Sequence, residues 1–163
     1  MKQPIATQHA PAAIGPYRQA IEAGGMVFVS GQLPIDPATG EFADGGVKEL
    51  TRQSLNNVKH ILEAAGLSMD NVVKTGVFLA DMGDFAEMNE AYAEFFQAPF
   101  PARAAVAVKT LPKGALFEIE AIAEKLNLHG MHKGGEAVRQ PMRGLPGSPL
   151  RVFMNGNRKE RCE

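Results

Sequence analysis

Apolar positions along the chain change period several times, and each change marks an element. Between residues 48 and 65, Leu50, Leu55, Val58, Ile61, Leu62 and Ala65 recur at helical spacing, and Gly66 stands where a left-handed cap would end the helix. Residues 84–96 repeat the pattern with Phe85, Met88, Tyr92, Phe95 and Phe96, opened by Asp84 and Glu87 in a capping-box-like spacing. That aromatic stripe reads as core. Elsewhere the period falls to two. Arg18–Ala23 and Met26–Gln32 flank Gly24-Gly25, a connection that favours a β-hairpin, and a further strand is predicted over Val72–Ala80.

Two last strands follow, one starting at Arg103 and running to Val108, the other from Leu116 to Ala123, with Pro112-Lys113-Gly114 between them. In the second, Phe117, Ile119, Ala121 and Ala123 form the apolar face and Glu118 and Glu120 lie opposite. The turn predicts a hairpin in which partner numbers sum to about 225, placing Ala105 beside Glu120 and Arg103 on the diagonal, within reach at roughly 7–8 Å. Taken alone, the pair reads either as an ion pair on a solvated sheet face or as a site, the alanines beside Arg103 leaving room for a ligand.

The resulting order, ββαβαββ, predicts an α+β fold: a single mixed sheet with both helices on one face. The other face is left bare. Faces of that kind are usually buried against partner subunits.

The 163 residues suit one domain, and the 45% apolar share is ordinary for a globular protein. No stretch reaches the ~18 apolar residues of a membrane span and no signal-peptide core opens the chain, so a soluble, cytoplasmic protein is expected. The single cysteine, Cys162, cannot close an internal disulfide. His9, His60, His129 and His132 are scattered without zinc-type spacing, and His129-x-x-His132 reads as a solvated pair. Residues 1–127 hold ten basic against fifteen acidic side chains, a net −5, which argues against nucleic acid as a partner. Residues 128–163 hold seven against three and are rich in Gly and Pro. They read as a separate basic extension, with Leu150–Met154 a candidate edge strand.

Several blocks occur in a telling order: Ile5-Ala6-Thr7, Ala10-Pro11-Ala12-Ala13-Ile14-Gly15-Pro16-Tyr17, Val29-Ser30-Gly31-Gln32-Leu33-Pro34, Gln53-Ser54-Leu55-Asn56-Asn57-Val58, Pro101-Ala102-Arg103, and Glu118-Ile119-Glu120-Ala121-Ile122-Ala123. Over residues 3–126 the chain resembles the reactive intermediate deaminase A family (RidA, YjgF-type). The resemblance implies a homotrimer with sites at subunit interfaces. It also implies hydrolytic deamination of reactive 2-imino acids and their enamines, released by pyridoxal-phosphate-dependent Ser/Thr dehydratases, to 2-keto acids and ammonia. No metal and no organic cofactor is implied.

By the same resemblance, Arg103 holds the substrate carboxylate, Glu120 works on water, and Tyr17, Ser30, Gly31 and Asn89 contribute to binding. Each has a plainer reading: Tyr17 a half-buried packing residue, Ser30-Gly31 a strand end and bend, Asn89 a polar position on a helix surface. Many members carry a cysteine where this chain has Ala105, so a thiol mechanism is excluded here. The competing function is a trimeric metabolite-binding or chaperone-like module without turnover. A ribonuclease fits poorly with the acidic domain.

Overall fold

The computed structural model describes residues 1–125. The readings of residues 128–163, including the candidate edge strand, Cys162 and the His129/His132 pair, lie outside the described residues.

Within that span the elements are β1 (Gln3–Ile5), β2 (Ala20–Ala23), β3 (Met26–Gln32), α1 (Val47–Ala64), β4 (Val72–Leu79), α2 (Phe85–Ala93), β5 (Ala102–Ala107) and β6 (Phe117–Glu124). They form one six-stranded mixed sheet in the order β1-β2-β3-β6-β4-β5. Only the β4–β5 pairing is parallel. The predicted ββαβαββ unit is present, preceded by a short strand, β1, that periodicity did not reveal.

Local chemistry accounts for the elements. Gly24 and Gly25 have φ of 59° and 78°, the two positive values a tight hairpin turn demands between β2 and β3. α1 buries Leu55, Val58, Ile61 and Leu62 completely against β3 and β6, each burial worth roughly 1.5–3 kcal/mol. The helix ends as predicted: Gly66 at φ +75° lets its own N–H reach Glu63 O and the Leu67 N–H reach Leu62 O, both at 2.9 Å. α2 departs from expectation at its start, where the Asp84 side chain makes no cap. Asp81 does the work one turn earlier, accepting from the Gly83 N–H at 2.7 Å. The helix is accordingly shorter than the 84–96 stripe, although Met88, Tyr92 and Phe96 are buried as expected.

One prediction fails outright. β5 and β6 are not a hairpin, because β4 lies between them, parallel to β5 and antiparallel to β6. The physical reason is β4 itself, Val-Val-Lys-Thr-Gly-Val-Phe-Leu, whose buried Val72, Thr75, Val77 and Leu79 suit an interior strand. β5 is alanine-rich, mostly exposed and fit for an edge. Joining parallel neighbours then takes a crossover, which α2 supplies.

Both helices cover one face, where Phe117, Ile119, Ala121 and Ala123 of β6 are buried. Among the described residues no element covers the opposite face, which exposes Phe28 (45%) and Val106 (47%).

Candidate functional site

The register decides which side chains share a face. Glu120 pairs with Gly76, and Gly76 with Ala104, so this row lies on the bare face. Arg103 pairs with Thr75, and Thr75 with Ala121, so Arg103 lies on the helix face. The expected Arg103–Glu120 diagonal does not exist: within one chain the two point to opposite sides of the sheet. The hairpin error caused this, since inserting β4 between the strands replaces the assumed neighbours.

Glu120 belongs to a cleft of about 950 Å³ that is also lined by Tyr17, Ser30, Gly31, Lys113 and Glu118. Each wall has a local cause. The segment carrying Tyr17 is pinned by the buried Gln19 amide, which accepts from the Thr7 N–H at 2.7 Å and donates to Thr7 O, Ala10 O and Pro11 O at 3.0, 3.1 and 2.8 Å. Tyr17 itself is half exposed and its hydroxyl oxygen accepts a long 3.4 Å bond from the Ile14 N–H. Ser30 and Gly31 fall where the β3–β6 register slips, two residues of β3 set against Glu120 between the Val29–Ala121 and Gln32–Ile119 pairs. That is a β-bulge, which bends the strand and redirects its side chains. The Ser30 hydroxyl donates to Arg18 O at 2.7 Å, so Ser30 serves the architecture of this wall.

The two carboxylates occupy space that two glycines leave. A Cβ at Gly31 would collide with the Glu118 carboxylate, and one at Gly76 would lie 2.7 Å from Glu120 Oε1. Glu118 is the more enclosed of the pair. Burial, and secondarily the charge of Glu120, raise its pKa above the ordinary carboxylate value. Sequence reasoning put Glu118 on the right face but gave it no role. The signal was there in the Glu-Ile-Glu alternation, which puts both carboxylates on one side two residues apart. Lys113 was also missed as a wall residue; it sits at φ +57°, a left-handed conformation few lysines adopt.

Arg103 and Asn89 form the second cluster. The Arg103 guanidinium donates from Nη1 to Asn89 Oδ1 at 2.8 Å and lies 4.6 Å from the Tyr92 ring centroid and 5.5 Å from that of Phe85. Asn89 thus has a specific partner and is more than a surface position on α2. The structure brings Tyr17, Ser30, Gly31 and Glu120 to one cleft and Arg103 with Asn89 to another place. In chemical terms the first presents two carboxylates and the second a cationic fork.

A cleft of this size in a helix-backed mixed sheet suits a small ligand. The family model described as Endoribonuclease L-PSP matches residues 7–125. A RutC family protein of Pyrococcus horikoshii is 58% identical over 125 residues, covering 77% of this chain and 99% of the relative. The 2-iminobutanoate/2-iminopropanoate deaminase of Salmonella typhimurium is 54% identical over 126 residues, covering 76% and 98%. Among solved structures, E. coli TdcF with bound serine superposes with a TM-score of 0.73 at 50% identity, covering 76% of this chain and 99% of that one. The chain belongs to the Endoribonuclease L-PSP family.

Proposed function

We propose that this protein hydrolyses 2-imino acids and their enamine tautomers to 2-keto acids and ammonia, working as a homotrimer whose sites each combine residues of two copies. The observation that carries the reading is the division of the site: a carboxylate-lined cleft on the bare sheet face and a pre-oriented arginine on the other. Each half is incomplete by itself. A second copy seated on the exposed Phe28/Val106 face would bring its Arg103 and Asn89 to this cleft.

The chemistry follows from the donor set. Arg103 presents a planar, permanently charged fork that matches the substrate carboxylate bidentately, with Asn89 fixing one edge of the fork. Gly31 and Tyr17 complete the cradle. A carboxylate in the cleft removes a proton from water as its oxygen bonds to the imine carbon. The resulting carbinolamine carries both oxygen and nitrogen on that carbon. The nitrogen takes that first proton from the carboxylic acid as the carbinolamine forms; the carboxylate then carries the hydroxyl proton to nitrogen, and ammonia departs with the C–N bonding pair as an oxygen lone pair closes the C=O bond of the keto acid. Glu120 was the expected base; Glu118 joins it in the cleft, and its pKa, raised by burial and by the charge of Glu120, makes it the stronger base once ionised. The reaction needs only residues within 1–125, and the two carboxylates and one arginine suffice without a metal or organic cofactor.

A metabolite-binding module without turnover is favoured by one observation, the serine bound to TdcF. The ribonuclease suggested by the family description is opposed by charge, since residues 1–127 carry a net −5 and the cleft itself holds two carboxylates. The deciding experiment generates 2-iminobutanoate with a threonine dehydratase and times keto-acid release. Addition of this protein is expected to accelerate release several-fold. Release at the uncatalysed rate, with the protein folded and trimeric, would leave the binding module as the function.

A further inference from the structure

Phe85, Asn89 and Tyr92 recur at i, i+4 and i+7, one stripe of α2, and all three touch the Arg103 guanidinium. Tyr92 differs from the other two in being buried, at 5% exposure. Its ring is held from two further directions. Phe96 stacks against it at 4.5 Å between centroids and 35° between planes, and its hydroxyl lies 2.8 Å from Oγ1 of Thr75, itself buried. Thr75 is the register partner of Arg103 on the adjacent strand. The contacts therefore close a ring: from Arg103 on β5 across to Thr75 on β4, up to Tyr92 on α2, and back onto the guanidinium.

We propose that Tyr92 is a positioning residue for Arg103, its ring face holding the guanidinium in the plane and direction in which it receives the substrate carboxylate; this rests on Arg103 being the carboxylate binder. An arginine on an exposed edge strand samples many rotamers, and binding must otherwise give up that freedom. The cation–π contact removes it in advance. Burial raises the Tyr92 hydroxyl pKa, with the Thr75 bond and the Arg103 charge opposing, so at neutral pH the contact is a neutral ring face and not a phenolate. Thr75 fixes the ring's tip. Asn89 fixes one nitrogen of the fork and leaves the others to the ligand.

The test measures the Kd of 2-oxobutanoate by calorimetry, KM and kcat for dehydratase-generated imine, and the unfolding midpoint, in wild type and in Tyr92→Phe, Tyr92→Leu and Phe85→Leu. Tyr92→Phe keeps the ring and loses the Thr75 bond, so its midpoint should fall while Kd stays within about twofold of wild type. Tyr92→Leu loses the ring face, and Kd and KM should rise about tenfold with kcat little changed. Should Tyr92→Leu fail to fold, the half-buried Phe85→Leu carries the test, with an expected rise of about threefold. Binding that tracks the midpoint across the set, or ring-less variants that bind like wild type, would overturn the proposal. Wild type that binds 2-oxobutanoate without turning over imine would reject the deaminase reading and leave the positioning role standing. Wild type that does not bind it would overturn the positioning role as well.

Discussion

Arg103 and Glu118 illustrate how far residue type alone decides a role. Lysine in place of Arg103 keeps the charge but loses the planar fork and the hydrogen bond to Asn89, so Arg103→Lys should lower kcat/KM at least about a hundredfold while the fold survives. Steady-state rates beside a far-UV spectrum check this; near-wild-type turnover would remove Arg103 from the site. Glu118 makes a prediction in pH. Its folded pKa is raised above the unfolded value, so protonated Glu118 costs nothing, and stability is lost as pH rises through the folded value. Glu118→Gln removes the titration, and denaturant midpoints should therefore be higher in the variant than in wild type at neutral pH and alike at about pH 4. The same substitution should cost turnover more than Glu120→Gln does. The reverse order would restore Glu120 as the base.

At the scale of elements, patterning revealed what is local and missed what is not. Gly24-Gly25, the Gly66 cap and the α1 stripe each specify their conformation within a few residues, and all were legible. The β5–β6 pairing was not, because a turn at Pro112–Gly114 permits a hairpin without requiring one. The choice was made by β4, whose buried side chains need an interior slot. That single misplacement carried the site error with it, putting Arg103 and Glu120 on one face. The residues of the motif blocks do gather, Tyr17, Ser30, Gly31 and Glu120 in one cleft and Arg103 beside Asn89; their division between faces depends on strand order, which alternation does not encode. The β3 bulge is another non-local feature with a testable consequence. Gly31→Ala would push a methyl group into the Glu118 carboxylate, which can swing aside because it ends a flexible side chain. Turnover should fall about tenfold or more as the base is displaced, with an unfolding midpoint within a few degrees of wild type. Loss of structure in that variant would mean that the bulge supports the fold and not the site.

For the whole molecule, the proposed site is made by two chains and not by one. A sheet with one face packed under α1 and α2 and the other exposing Phe28 and Val106 has apolar area to bury, and a second copy is the proposed cover. Among the described residues no helix is long and apolar enough to cross a membrane. Arg103 and Glu118 lie on opposite faces of one sheet, so if both act on one substrate molecule they come from different copies. This predicts complementation. An Arg103→Ala chain and a Glu118→Gln chain should each form trimers with little activity. Co-expressed in equal amounts they assemble mixed trimers, in which a site is intact when its arginine comes from the Glu118→Gln copy and its glutamate from the Arg103→Ala copy. Random assembly makes about one site in four intact, so activity should recover to about a quarter of wild type. Light scattering on the same samples establishes that trimers are present. Mixed trimers no more active than either parent would show that Arg103 and Glu118 do not meet across a subunit boundary, and the two-copy site would have to be abandoned.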